Sequence, residues 1–372
     1  MMHTPVSPLR VLAKGLLLFV LFNLVFAAWE PAHLGGLTLY GSVFPGRLRL
    51  PFGEDSQHAY NLSLYNLDAM FNSLAIAGRG KPAGEYRVIV IGDSSVWGIL
   101  LRPEQTLAGQ LQAENLTACD GRQIRVYNLG YPTISLTKDL MILSYAMRYQ
   151  PDLVVWPITL EAFPLDQQLN SPLVANNAAV VQGLIREYRL PLNPQDPALV
   201  QANFWQRTLI GQRRSLADLI RLQLYGVMWA ATGIDQTYPT DYPPAQTDFG
   251  PDASFNGVQG PVLDQTQLPF EVLSAGVQAV GNTPLLLVNE PILVSTGKNS
   301  DLRYNFFYPR WAYDQYRLEL SHQSAQHGWN YLDEWNLVPA NEFTNSAIHL
   351  TSAGESLLVK QVESSVLSLS CR

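Results

Sequence analysis

Cysteine is nearly absent: the 372 residues contain only Cys119 and Cys371. Two are too few for a cysteine-rich zinc site or a disulfide-dense scaffold. The six histidines are scattered, with neither an HExxH pair nor any other metal-ligand spacing, so no metal site is expected. Charge is also sparse. Asp, Glu, Lys and Arg make up 15% of the chain, no dense Lys/Arg block occurs, and the formal net charge is −7. That balance excludes nucleic acid as the expected partner. The chain carries no internal repeat and no low-complexity tract.

Apolar residues, by contrast, reach 47%, enough for one large α/β domain or two modest ones. Arg10 and Lys14 precede an apolar run from Gly15 to Trp29. Basic residues ahead of such a run keep that end in the cytoplasm and export the chain beyond it. The run alone is shorter than the roughly 20 residues of a spanning helix, and Val11, Leu12 and Ala13 extend it, with Lys14 able to snorkel. Residues 1–30 therefore read as an uncleaved membrane anchor or, with Ala27-Ala28 as cleavage site, a signal peptide. Either places the remainder outside the cytoplasm, at a periplasmic or cell-surface location. Residues 31–84 form a lead-in segment expected to pack on the main domain, residues 85–372.

From residue 85 strand and helix signals alternate. Apolar runs at Tyr86–Ile91, "QIRVYNLG", "DLVVWPITL", "TPLLLVNEP" and "WNYLDEW" predict five strands. Helices are predicted at Pro103–Glu114, in the amphipathic "LTKDLMILSYAMRY", in "WAYDQYRLELSHQSAQHG" and in "LTSAGESLLVKQVESSVLSL". Repeated β-α units predict a flavodoxin-like three-layer α/β/α fold on a five-stranded parallel sheet. A large insertion at about 161–267, between strands 3 and 4, reads as a helical cap followed by an irregular Pro/Asp/Tyr-rich loop. That loop either shapes the site or merely decorates the surface.

Ligands of open α/β sheets bind at the carboxyl ends of the strands, so chemistry is sought there. The first strand ends in Gly92-Asp93-Ser94-Ser95, the second at Gly130, the third at Thr159 and Glu161, the fourth at Asn289-Glu290. A serine at a strand-to-helix turn places its hydroxyl near backbone N–H groups that favour an oxyanion. Such a serine needs a base, and His349 before the last helix is the candidate. Each alone has a plainer explanation: Ser94 as a helix cap, Gly130 as a turn, His349 as a loop residue.

Together, "IGDSSVWG", "YNLGYPTIS" and "SAIHLTSAG" resemble, in order and spacing, the SGNH/GDSL hydrolase superfamily, from Arg87 to the C-terminus without the insertion. The resemblance implies Ser94 as nucleophile, the N–H groups of Ser94 and Gly130 as oxyanion donors, and His349 as base. The export signal and insertion look similar to membrane-associated members that handle acyl groups on cell-surface polysaccharides. Two positions depart from the pattern. The third-block Asn is missing from "WPITLEAF", where Thr159 is the nearest polar match. The Asp expected three residues before the histidine is Ser346, preceded by Asn345, a neutral partner for the imidazole. Asp333 and Glu334 are substitute acids.

The function so implied is an extracytoplasmic serine esterase or acyltransferase acting on a small acyl ester, an O-acetyl group of a carbohydrate above all. Its implied partners are the acyl-ester or carbohydrate substrate, the membrane through the N-terminal helix, and, for transfer, a membrane acyl-donor protein. The alternative is a non-catalytic protein of the same fold that binds glycans or assists envelope assembly. In a flavodoxin-like strand order the helices preceding Cys119 and Cys371 lie side by side, so the two cysteines either pair or remain as thiols.

Overall fold

The computed structural model describes residues 7–29, 39, 46–52, 67–78, 80–232 and 241–372. Parts of the lead-in segment and of the Pro/Asp/Tyr-rich loop therefore lie outside the described residues. In chain order the elements are α1 (Pro8–Ala28), α2 (Leu67–Asn72), β1 (Glu85–Gly92), α3 (Ser94–Trp97), α4 (Leu107–Ala113), β2 (Gln123–Gly130), α5 (Leu136–Ala146) and β3 (Leu153–Ile158). They continue with α6 (Pro172–Asn176), α7 (Ala178–Tyr188), α8 (Arg213–Thr232), α9 (Phe270–Ala279), β4 (Leu285–Asn289), α10 (Arg310–His327), β5 (Asn330–Asp333) and α11 (Ser352–Leu369).

All five strands are parallel, in the order β2-β1-β3-β4-β5. The order accounts for the composition of each strand. β1, β3 and β4 have neighbours on both edges and helices on both faces, so every residue in them is buried, as their apolar runs predict. The edge strands β2 and β5 alternate or expose residues and carry Gln, Arg and Asn instead.

Alternation along each strand divides the core in two. Ile89, Ile91, Val154, Trp156 and Leu287 point to one face, where α5, α9 and α10 pack. Val88, Val90, Val155, Leu286 and Val288 point to the other, beneath α4 and α11. The result is a three-layer α/β/α arrangement on a five-stranded parallel sheet. Gln110 of α4 donates to the carbonyl of Ser352 on α11 at 2.8 Å, and at the far end of the two helices Cys119 and Cys371 are disulfide-bonded with Cα atoms 5.0 Å apart.

Two expectations need correction. The helix α5, expected to be amphipathic, buries nine of its eleven residues, among them Thr137, Lys138 and Asp139. Its first turn lies under the ends of β1 and β2, where those polar groups find partners. The insertion is not wholly a cap: Leu173 and Val174 of α6 and Val181, Leu184 and Ile185 of α7 join the core on the α5 face. On α8, by contrast, Ile220, Leu224 and Met228 are exposed.

The described part of the lead-in packs on the domain at a definite place. Buried Arg49 stacks over the Trp97 ring with its guanidinium 4.1 Å from the centroid and donates to the carbonyls of Trp97, Gly98 and Leu101. Trp97 Nε1 donates in return to the Leu50 carbonyl at 2.8 Å. A short helix leaves several carbonyls without partners at its C-terminal end; here an arginine from the lead-in supplies them.

Candidate active site

The turn after β1 is built to hold Ser94 in one place. Gly92 has φ +153°, and a Cβ there would lie 2.6 Å from Val96 Cγ2, so a side chain is excluded by backbone and space together. Asp93 caps α3, its carboxylate accepting from the Ser95 N–H at 2.8 Å. Ser94 thus opens a helix at the rim of the sheet, 6% exposed.

His349 arrives from the loop between β5 and α11. Phe343 and Leu350 pair as an antiparallel bridge, and the His349 carbonyl accepts from the Thr344 N–H at 2.8 Å and the Thr344 hydroxyl at 3.2 Å. The loop so closed sets His349 Nε2 2.8 Å from Ser94 Oγ. On the opposite side of the ring, Nδ1 lies 2.8 Å from Asn345 Oδ1. An amide oxygen only accepts, so Nδ1 carries the proton and Nε2 is the lone-pair nitrogen that faces the serine. Burial lowers the His349 pKa to about 4, since a charged imidazolium would lose its water.

Of the residues expected here, the structure brings together Ser94, His349 and Asn345, with His349 lying 255 positions from Ser94 and 4 from Asn345 along the chain. It places the others differently. Gly130 lies beside the turn, and a Cβ there would sit 2.5 Å from the Trp97 nitrogen. Its own N–H, however, donates to Asn128 Oδ1 at 2.9 Å, while Asn128 Nδ2 donates to the Val96 carbonyl at 2.7 Å. The residue needed for its small size is Gly130, and the polar clamp on α3 is Asn128. The Thr159 hydroxyl is fully buried and bonded to the Tyr308 hydroxyl at 2.8 Å, committed to the core rather than to an oxyanion.

Neither substitute acid is the group bonded to the imidazole. Asp333 pairs with Arg317 at 2.6 Å and accepts from Asn289 Nδ2 at 2.8 Å, and Glu334, next along the chain, is not the group hydrogen-bonded to the imidazole. Ser346, at the position where a carboxylate was expected, yields that place to Asn345, whose side chain is the one that reaches the ring.

Beneath the turn lies a buried polar layer of which sequence reasoning singled out Glu290 but missed Lys138, Asp139 and Glu355. Lys138 Nζ, fully buried, donates to the carbonyls of Gly92 (2.6 Å) and Tyr131 (3.0 Å) and pairs with Asp139 at 2.5 Å. It ties the ends of β1 and β2 together. Burial raises Asp139 to about 6 although Lys138 pulls the other way. The Ser95 hydroxyl donates to Glu290, whose carboxyl is pushed well above the usual range by burial and by the nearby Asp93. Glu290, Ser95 and Glu355 line a cavity of about 10 Å³, and burial lifts Glu355 to about 8. The signal was present in "TISLTKDL": a Lys-Asp pair in the first turn of an otherwise apolar helix has to be paired if that turn is buried.

The insertion borders this loop, because the Ala245 N–H donates to the Thr344 carbonyl at 2.8 Å. Among the described residues, no group of three or more His, Cys, Asp or Glu side chains is arranged to hold a metal ion.

Two esterases are among the solved structures similar to this chain. One is a carbohydrate acetylesterase family member from Sinorhizobium meliloti, 12% identical over 77% of this chain and 99% of that one, with a TM-score of 0.36. The other is an aryl esterase from M. smegmatis, 13% identical over 76% of this chain and 99% of that one, with a TM-score of 0.33. No known protein family and no curated protein matches the chain.

Proposed function

We propose that this protein is a membrane-tethered, extracytoplasmic serine esterase or acyltransferase acting on small acyl esters, an O-acetyl group on a cell-surface carbohydrate being the substrate class we favour. The observation that carries the reading is the chain of two 2.8 Å hydrogen bonds from Ser94 Oγ through the His349 ring to Asn345 Oδ1. A serine, a base and a group that orients the base, within hydrogen-bond reach of each other, form the arrangement nucleophilic acyl transfer needs.

In this mechanism Ser94 Oγ attacks the ester carbonyl carbon as its proton passes to His349 Nε2. The carbonyl oxygen becomes an oxyanion beside the start of α3, where the Ser94 N–H is the nearest backbone donor in sequence. The C–O bond to the alcohol then breaks, and His349 returns the proton to the departing oxygen. Water, or a sugar hydroxyl, attacks the acyl-serine while giving its proton to His349; the serine–acyl bond breaks and Ser94 regains that proton. Hydrolysis and transfer differ only in the acceptor. Asn345 keeps the imidazole oriented with Nδ1 protonated but adds no negative charge to stabilise the imidazolium.

Anchoring rests on α1, the one helix among the described residues long and apolar enough to cross a membrane, with Arg10 and Lys14 at its start. A second reading, a binding protein that retains the fold, draws on the neutral Asn345 and on the engagement of the Gly130 N–H by Asn128. One experiment separates them. The full-length protein in detergent is treated with a fluorophosphonate probe, then assayed with p-nitrophenyl acetate and an O-acetylated glycan. Covalent labelling at Ser94, lost in Ser94→Ala and slowed in His349→Ala, supports catalysis; no labelling and no turnover of either substrate supports binding.

A further inference from the structure

Helix α1 has 21 residues, about 31 Å at 1.5 Å per residue, which only just matches a hydrocarbon core of about 30 Å. To span at all, it must use its whole length, including its last two turns. Those turns are not clothed by lipid on every side. Asn23, Phe26 and Ala27 are buried on one face, while Leu24 and Val25 stay exposed on the other. Asn23 is a polar side chain inside an apolar helix and needs partners. Its Nδ2 donates to the Phe19 carbonyl at 2.9 Å, and its Oδ1 accepts from the backbone N–H of Ile210 at 3.1 Å. The segment entering α8 is therefore latched to the outer end of α1, at a depth the length of α1 assigns to the outer leaflet.

Residues around that latch have the side chains such a depth requires. Trp205 is 73% exposed and Ile210 51%. On α8, Ile220, Leu224 and Met228 are spaced four apart, which places them on one stripe, and each is at least 60% exposed. Arg213 lies at the start of the same helix and is exposed. An outward apolar stripe with tryptophan nearby and arginine at the flank is the pattern of a helix lying in the membrane interface.

We infer that the Trp205–Ile210 segment and α8 form a second, interfacial membrane contact, seated in the outer leaflet beside α1. The inference rests on the reading of α1 as a membrane span. Its occupant is the lipid bilayer, because the latch to α1 fixes the level of the segment. With two contacts the catalytic domain is held in one orientation over the membrane rather than swinging on a tether, which suits a substrate presented at that surface.

The test uses the full chain reconstituted in phosphatidylcholine vesicles. Single cysteines introduced by Leu224→Cys, Leu17→Cys and Leu318→Cys are labelled with an environment-sensitive fluorophore. All three positions are exposed, and the native cysteines are bonded to each other. Quenching by lipids carrying a nitroxide near the headgroup should remove emission from the Leu224 label and leave the Leu318 label on α10 unchanged. A nitroxide deep in the acyl chain should quench the Leu17 label. If Leu17 is quenched and Leu224 behaves like Leu318, the anchor stands, the stripe belongs to a protein partner, and the inference is overturned. If neither Leu17 nor Leu224 is quenched, the span itself is refuted and the inference falls with it.

Discussion

Replacing Asn345 by Asp tests how the candidate base is tuned. The substitution puts a carboxylate where an amide oxygen now sits, 2.8 Å from His349 Nδ1, without changing the size of the side chain. In a medium of effective dielectric about 20, two unit charges this close attract by several kcal/mol. Asn345 is exposed at the loop tip, and screening by water there leaves about 1–3 kcal/mol, or about 1–2 pKa units. His349, held at about 4 by burial, should rise to about 5–6. It stays neutral at pH 7, so the base remains available while becoming stronger. With about half of the gain expressed as the proton moves, acylation should speed up roughly 3- to 10-fold.

The assay is the rate of fluorophosphonate labelling or p-nitrophenyl acetate turnover as a function of pH. The parent should keep activity down to about pH 4, where His349 protonates, and Asn345→Asp should move that acid limb upward. Stability supplies an independent reading. The parent's depressed histidine contributes about 3 kcal/mol that is present above pH 6.5 and is lost as the pH falls through 4. Asn345→Asp should shrink that loss. An unmoved acid limb together with an unchanged or slower rate would refute the reasoning, because the amide would then not be the group facing the ring.

Lys138→Met should destabilise the protein by about 3–5 kcal/mol in urea unfolding, since it strands Asp139 and removes the donor to the Gly92 and Tyr131 carbonyls; a loss below about 1 kcal/mol would show that the buried pair does not brace the ends of β1 and β2. Glu355, raised from 4.5 to about 8 by burial, contributes stability that is complete below pH 4.5 and lost as the pH rises through 8. Glu355→Gln should therefore raise the melting temperature more at alkaline than at acid pH, and equal shifts at both would contradict the assignment. The Cys119–Cys371 bond closes a loop of 252 positions, so its reduction should cost up to about 5 kcal/mol on the chain-entropy account, seen as a lower melting temperature with reductant and no change in a Cys119→Ala/Cys371→Ala variant.

The sequence alone determined the sheet and the two ends of the candidate site. Apolar runs of strand length ending in Gly92, Gly130 and Asn289, each followed by a helical pattern, are local signals, and local signals decide strands and helices. The same holds for Ser94 at the first turn and His349 before the last helix. What the sequence could not settle is whatever depends on distance between parts remote in the chain. The sequence offers Asn345 as a neutral partner of the histidine and Asp333 and Glu334 as substitute acids; only the closed loop turns Asn345 toward Nδ1, while Arg317 engages Asp333. Gly130 as a donor rests on the resemblance and Thr159 on being the nearest polar match to the missing Asn; in the fold Asn128 and Tyr308 take their polar groups. Lys138 falls within the stretch whose pattern predicts an amphipathic helix, and only the stacking of α5 beneath the β1 turn makes it a buried strut. A hydrogen bond is won by whichever donor the packing brings within about 3 Å, and that competition is decided by tertiary structure.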